Sequence, residues 1–340
     1  MTAPHSNASG TPSPSWKLDP PYGARTILAV IVALALFLYG GQRVDMDRMA
    51  ALSLQGLLSA VGLQESSQVG AGLGKVAGSL FPLQIAERTE IARLEHFDPD
   101  RLPWLSRVET LRQTEASLNP HTLRMEETVS ERRYLVEPLG YVTHVAVKML
   151  ETIEIALWAT VLAVLGSLPL AYASARNYTP NRVVYGAARA LVSLFRSMPE
   201  LITALFLVLA YGFGPIAGVL ALAIHSMGFL GKFYAEDIET ADPKPQEALQ
   251  AIGASKLRVL MYAVGPQVLP QFIAYTLYIL DRNVRMATVV GLVGAGGIGQ
   301  ELKGRYDMYQ YGHVGTILVA IFFTVFLLDL FAARLRRKVA

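Results

Sequence analysis

Long apolar stretches recur along the chain, and their lengths suit helices crossing a membrane. A helix that spans ~30 Å of hydrocarbon needs about 20 mostly apolar residues. Thr26–Gln42 is uncharged and slightly short, with Arg25 and Arg43 placed to snorkel at its ends. Ile155–Ala175 is a full uncharged span. Leu201–Gly231 holds 31 residues without Lys, Arg, Asp or Glu, interrupted by Tyr211-Gly212-Phe213-Gly214-Pro215. That is too long for one crossing and too short for two. Two helices fit if the first begins near Ala188 and carries Arg196 and Glu200 into the membrane. A further stretch runs from about Met261 to Val290, broken by Asp281, Arg282 and Arg285, and the last covers roughly Val314–Ala333. The pattern predicts an all-α polytopic membrane protein with about six transmembrane helices.

Charge orients these spans, because cytoplasmic segments near span ends are enriched in Lys and Arg. Arg334-Leu335-Arg336-Arg337-Lys338 supplies four cations and no acid, and Arg176, Arg182 and Arg189 flank the short loop after the second span. Six crossings put both groups and the N-terminus on the cytoplasmic side. The expected division is a disordered, Ser/Pro/Thr/Gly-rich N-terminus over 1–24, a first transmembrane helix over 25–43, and an extracytoplasmic region over 44–147. A core of five spans over 148–340 follows, with a cytoplasmic loop at 232–260. Within the outer region, Ala50–Val61 is apolar but too short to span and reads as an interfacial helix, and Ile85–Leu94 has a helix-like pattern.

Composition adds exclusions. The chain is 52% hydrophobic and 17% charged, where soluble domains carry about a quarter charged residues. With no cysteine, disulfides, thiolate metal sites and thiol nucleophiles are excluded. No set of His, Asp and Glu has metal-ligand spacing and no nucleophile has a nearby base, so no catalytic residue and no metal site is predicted. Gly294-Ala295-Gly296-Gly297-Ile298-Gly299 matches a dinucleotide fingerprint in form, but a hydrophobic helix follows it instead of a strand ending in a ribose-binding acid. Close helix packing or a broken turn at the outer end of the fifth span is the better account of Gly294, Gly296, Gly297 and Gly299. Gly70–Val76 lacks the glycine spacing of a phosphate loop and the Ser or Thr after its lysine.

Ionisable residues inside spans are costly and mark candidate function. Arg196 and Glu200 lie i,i+4 on one expected helical face, with Pro199 bending it, and Asp281 and Arg285 repeat that spacing. Guanidinium forks suit anions, so Arg196, Glu200, Arg282 and Arg285 are candidates for a translocation path. Internal ion pairing is an equal alternative for Arg196–Glu200 and the favoured account of Asp281–Arg285, which leaves Arg282 as the freer cation. His225 stands in an otherwise uncharged span, where an interhelical hydrogen bond is the expected role.

Glu247-Ala248-Leu249, Gly253 and Gly265-Pro266, set between two spans, resemble the permease signature of ABC importers. Leu249 replaces the second Ala of that signature, Ala263 its usual Ile and Gly265 its Leu. Arg196-Ser197-Met198-Pro199-Glu200, His225-Ser226-Met227-Gly228 and Asn283-Val284-Arg285-Met286-Ala287-Thr288 resemble the phosphonate/phosphate-type branch. The likeness covers roughly Met149 to the C-terminus and the first span; the stretch between Phe81 and Tyr141 stands as an insertion. It implies the type I ABC importer permease fold and coupling residues Glu247, Ala248, Leu249, Gly253 and Pro266. It also implies a place for this chain in the bacterial inner membrane, a phosphorus oxyanion (phosphonate, phosphate or phosphite) as substrate, a second copy of the chain, a cytoplasmic ATPase dimer using ATP and Mg, and an extracytoplasmic substrate-binding protein. This chain itself is expected to bind no cofactor and no nucleic acid. Rival readings are an ion-coupled secondary transporter, and an ABC permease for an amino acid such as methionine.

Overall fold

A computed structural model describes residues 23–61, 67–94, 97–99, 102–103, 105–118 and 125–339. Most of the N-terminal stretch expected to be disordered lies outside them. The chain divides into two compact units, Met1–Ala77 and Gly78–Ala340. The first holds α1 (Ala24–Arg43), whose apolar side chains are exposed, and α2 (Met46–Ala60), where the interfacial helix is expected. α3 (Gln68–Leu80) carries the Gly70–Val76 string as helix.

The second unit opens with a three-stranded antiparallel sheet ordered β1 (Glu87–Glu90), β3 (Met125–Glu137), β2 (Arg107–Leu118). Thus Ile85–Leu94 is not the helix its pattern suggests. It becomes a strand and a single 3-10 turn, Ile91–Arg93, because β1 pairs with the far end of β3, Glu90 opposite Tyr134. Leu135 and Val136 of β3 are buried there. A short apolar run does not decide between helix and strand; a distant partner did.

Helices build the rest. α4 (Gly140–Ser174) has 35 residues, about 50 Å at 1.5 Å per residue, and so outruns the hydrocarbon layer. α5 (Arg182–Ser197) and α6 (Glu200–Tyr211) meet at 91°. This corrects the expected single bent helix. Pro199 has no N–H and forces Met198 into extended backbone (ψ 122°), so the helix stops and restarts. Then come α7 (Pro215–Thr240), α8 (Pro243–Ala251), α9 (Lys256–Val259), one π-helical turn (Leu260–Val264), α10 (Gly265–Gly291), α11 (Gly297–Asp307) and α12 (Tyr311–Val339). By length and composition α1, α4, α7 and α12 qualify as membrane spans among the described residues, and the bent α5–α6 pair makes a fifth. α10 has the length, 27 residues, but carries Asp281, Arg282 and Arg285.

α4 and α7 form the centre. Ala156, Ala159 and Ala163 on one and Ala217, Ala221 and Ala235 on the other are fully buried. Small side chains let helix backbones approach closely, which is how helices associate where apolar burial against lipid gains little. A Cβ on Gly228 would meet the backbone nitrogen of Arg196 at 2.6 Å, and one on Gly218 the Ala295 carbonyl at 2.6 Å. α7 is therefore pressed against the end of α5 and the turn before α11.

Candidate functional site

The break between α5 and α6 decides the geometry of the site. Because α6 begins at Glu200, its carboxylate faces α7 and α10 instead of Arg196. Glu200 pairs with Arg282 Nη2 of α10, and lies 3.2 Å from His225 Nε2 of α7. The expected Arg196–Glu200 pair does not form, and the Arg196 side chain has no ion-pair partner among the described residues. His225 Nδ1 lies 2.9 Å from the Met198 carbonyl oxygen and Nε2 lies 3.1 Å from Arg282 Nη2. The guanidinium stands 5.3 Å over the Phe229 ring, and its Nη1 is buried without a hydrogen-bond partner. The side chains of Glu200 and His225 are 11% and 9% exposed, and that of Arg282 24%. A carboxylate, an imidazole and a guanidinium thus converge inside a helical bundle.

One residue further along each helix, the polar groups face the other way. Asn283 is fully buried, donates to Thr160 Oγ1 of α4 (2.9 Å) and accepts from Ser226 Oγ of α7 (2.9 Å). Asn283 therefore fixes the rotation of α10 between α4 and α7. Arg285 donates to Asp281 at 2.7 Å; Asp281 is buried, while the Arg285 side chain is 46% exposed. Among the described residues, no group of three His, Asp or Glu could hold a metal.

α8 presents the second candidate site. Asp242 caps it, accepting from the Lys244 amide at 3.0 Å, and Pro243 opens it without needing a donor. It ends at Gly253, φ 84°, where the Gly253 amide donates to Gln250 O (2.9 Å) and Ala254 to Leu249 O (3.0 Å). That pair of bonds is a Schellman cap, which needs a left-handed residue at Gly253. No residue of α8 is buried, and Glu247, Ala248 and Ile252 are exposed. Tyr178 Oη donates to Gln246 Oε1 (2.7 Å), tying this helix to the link between α4 and α5. Pro266 sits in the first turn of α10, next to the π-helical turn.

The glycine string forms the turn from α10 into α11. Gly294, Gly296 and Gly297 have φ of 93°, 84° and 69°. Gly299 instead packs face to face with α10, where an added Cβ would lie 2.9 Å from Gly291 Cα. The amides at the start of α11 are already taken: Gly297 donates to Glu151 Oε1 (3.0 Å) and Ile298 to Thr152 Oγ1 (2.8 Å). An anion seat exists there, filled by the protein's own carboxylate.

Sequence reasoning missed this Glu151–Thr152 seat and a further cluster, Glu301–Arg305–His144. Arg305 donates to Glu301 at 2.7 Å and His144 Nε2 lies 3.4 Å from the same carboxylate. Burial pushes the Glu301 carboxyl up, but the hydrogen bond and charge of Arg305 outweigh it and hold it below the ordinary carboxylate range. Only the i,i+4 spacing of Glu301 and Arg305 signals it in the sequence.

Helices long and apolar enough to cross a membrane, enclosing a carboxylate, an imidazole and a guanidinium, mark a membrane protein with a buried polar site. The chain belongs to the binding-protein-dependent transport system inner membrane component family, which matches residues 167–340. Among its relatives is a candidate phosphite transport system permease protein of Stutzerimonas stutzeri, HtxE, 59% identical over 259 residues, or 76% of this chain and 99% of that protein. The phosphite transport system permease protein PtxC of the same organism is 46% identical over 189 residues, 56% of this chain and 69% of that one. A chain of the inward-facing MetNI methionine ABC transporter shares the fold, with a TM-score of 0.51 at 22% identity over 58% of this chain and 96% of that one. The protein is thus an ABC transporter permease of type I fold and not itself an enzyme.

Proposed function

We propose that this permease carries a phosphorus oxyanion (phosphonate, phosphate or phosphite) across the bacterial inner membrane, and that Arg282 is the cation the anion meets in transit. The observation that carries this reading is the 59% identity with HtxE over nearly the whole of that protein. Arg282 supports it physically: a guanidinium held among helices, with one nitrogen unpartnered, is a donor waiting for an acceptor. Glu200 keeps the site neutral when it is empty. Arg285 already holds Asp281 and is secondary, and Arg196 stands outside the cluster.

Two copies of the chain form the pore, and two ATPase subunits dock on the exposed helix α8 through Glu247, Ala248 and Leu249. ATP and Mg are used in those subunits. Both termini and residues 232–260 face the cytoplasm, and residues 44–147, with the three-stranded sheet, face outward to the substrate-binding protein. ATP-driven closure moves α8 and, through the turn after it, α10.

Co-expression with the cognate ATPase and binding protein, followed by ATP hydrolysis measurements in lipid discs, tests this. Stimulation by phosphite, phosphate or a phosphonate is the expected result and names the substrate. Stimulation by methionine instead would overturn the substrate class, and failure to form any ATPase complex would overturn the docking role of α8.

A further inference from the structure

The geometry around His225 allows two hydrogen-bond arrangements, and a proton selects between them. A carbonyl only accepts, so the 2.9 Å contact with Met198 O fixes a proton on Nδ1. Nε2 then faces both Arg282 Nη2, which only donates (3.1 Å), and Glu200 Oε1, which as a carboxylate only accepts (3.2 Å). A bare Nε2 pairs with the guanidinium. A protonated Nε2 pairs with the carboxylate. The charged groups facing the ring are Glu200 from α6 and Arg282 from α10; the α5–α6 link contributes the Met198 carbonyl, and α7 itself contributes Phe229, 5.0 Å away.

Resting on the assignment of Arg282 as the oxyanion site, we infer that His225 takes up one proton when an anion occupies Arg282 and returns it when the anion leaves. With the site empty, Arg282 and Glu200 cancel and His225 is neutral. An arriving monoanion draws the guanidinium donors to itself, leaves Glu200 without its partner, and makes the cluster net negative where charge is poorly solvated. One water-derived proton on the Nε2 lone pair restores neutrality. The new N–H donates to Glu200 Oε1, so no buried carboxylate is left unpaired. On departure of the anion the proton returns to water and the guanidinium swings back. His225 is a positioning residue: it sets where Glu200 and Arg282 rest.

The test is phosphite uptake into liposomes containing the permease with its ATPase and binding protein, for wild type and His225→Gln, from pH 6 to 8.5. Glutamine donates to Met198 O and accepts from Arg282 but gains no proton, so it imitates the neutral ring. The variant-to-wild-type ratio cancels the titration of phosphite and the pH response of the ATPase. The variant is expected to be at least fivefold slower at pH 6 and within twofold at pH 8.5. A ratio that is flat or falls with pH overturns the inference, because loss of a merely structural hydrogen bond weakens transport equally at every pH. If the variant fails to assemble, Glu200→Gln, which cancels the carboxylate charge so that the anion-bound cluster is neutral without a proton, is expected to escape the slowing of the wild type at high pH, so that its ratio to wild type rises from pH 6 to 8.5, and a flat or falling ratio there overturns the inference equally. Wild-type liposomes that ignore phosphite but respond to another ligand would refute the substrate proposal alone, and the ratio is then read with that ligand.

Discussion

The Glu151 carboxylate of α4 accepts the Gly297 amide at the first residue of α11, 146 positions away, at 3.0 Å. Lys148 holds the other carboxylate oxygen at 2.7 Å, and Thr152 takes the next amide. A helix N-terminus exposes unpaired amides and a partial positive charge, and here both are answered from a neighbouring span. Glu151→Ala should therefore lower stability by about 1–3 kcal/mol, the usual cost of orphaning a buried polar group. Glu151→Gln, which keeps an acceptor, should cost less. Thermal unfolding of the detergent-solubilised protein gives both values.

Glu200→Ala leaves Arg282 buried without its counter-charge, and is expected to destabilise by about 3 kcal/mol, at the low end for a broken buried pair because Arg282 is partly exposed. The double variant Glu200→Gln/Arg282→Gln should recover most of that stability and still fail to transport. Unfolding and uptake measured on the same preparations separate the two effects.

Two glycines of one helix should behave oppositely. Gly299→Ala drives a methyl against the backbone of Gly291 and Thr288 and should prevent α11 from docking, seen as loss of folded protein in detergent. Gly304→Ala meets nothing within 4 Å, and should stabilise by up to about 1 kcal/mol through helix propensity.

At Gly253 there is space for a side chain but not for its backbone. Gly253→Pro is incompatible with φ 84° and removes the amide that donates to Gln250 O. The expected outcome is a folded permease whose complex with the ATPase no longer responds to ligand with faster ATP hydrolysis, checked by ATPase assay of the complex beside a melting curve of the permease.

Glu301 makes an acid-sensitive contact. Its carboxyl is held below the ordinary glutamate value by Arg305, so its stabilising contribution is full above that ordinary value and is lost as pH falls through the lower, folded-state value. Glu301→Gln should flatten the pH dependence of the melting temperature below pH 5 and change little near neutrality beyond a constant offset.

Much of this was legible in the chain. Apolar runs located the span helices because lipid demands a minimum length, and Gly253 marked the end of α8 because its backbone angle suits little else. Three things were not. The sheet depended on β1 finding β3 across more than forty residues, which no local period encodes. Arg196 and Glu200 had the spacing of a helical pair, but Met198-Pro199 breaks the helix between them, so local spacing pointed to the wrong partner. Glu200, His225 and Arg282 meet only because three helices pack together; nothing near His225 in the sequence is acidic, yet its ring faces a carboxylate.

The π-helical turn at Leu260–Val264 has one more consequence. Such a turn stores a spare residue: it is a helix wound with more chain than its pitch requires. If that residue passes along or relaxes, everything beyond it rotates by about 100°, the angle per residue of an α-helix. In this chain the spare residue sits between the exposed segment at α8 and the helix bearing Arg282 and Asn283. A small push on α8 would thus have a mechanical outlet as torsion, and Asn283, bonded to Thr160 and Ser226, would be the detent that a twisting α10 must release.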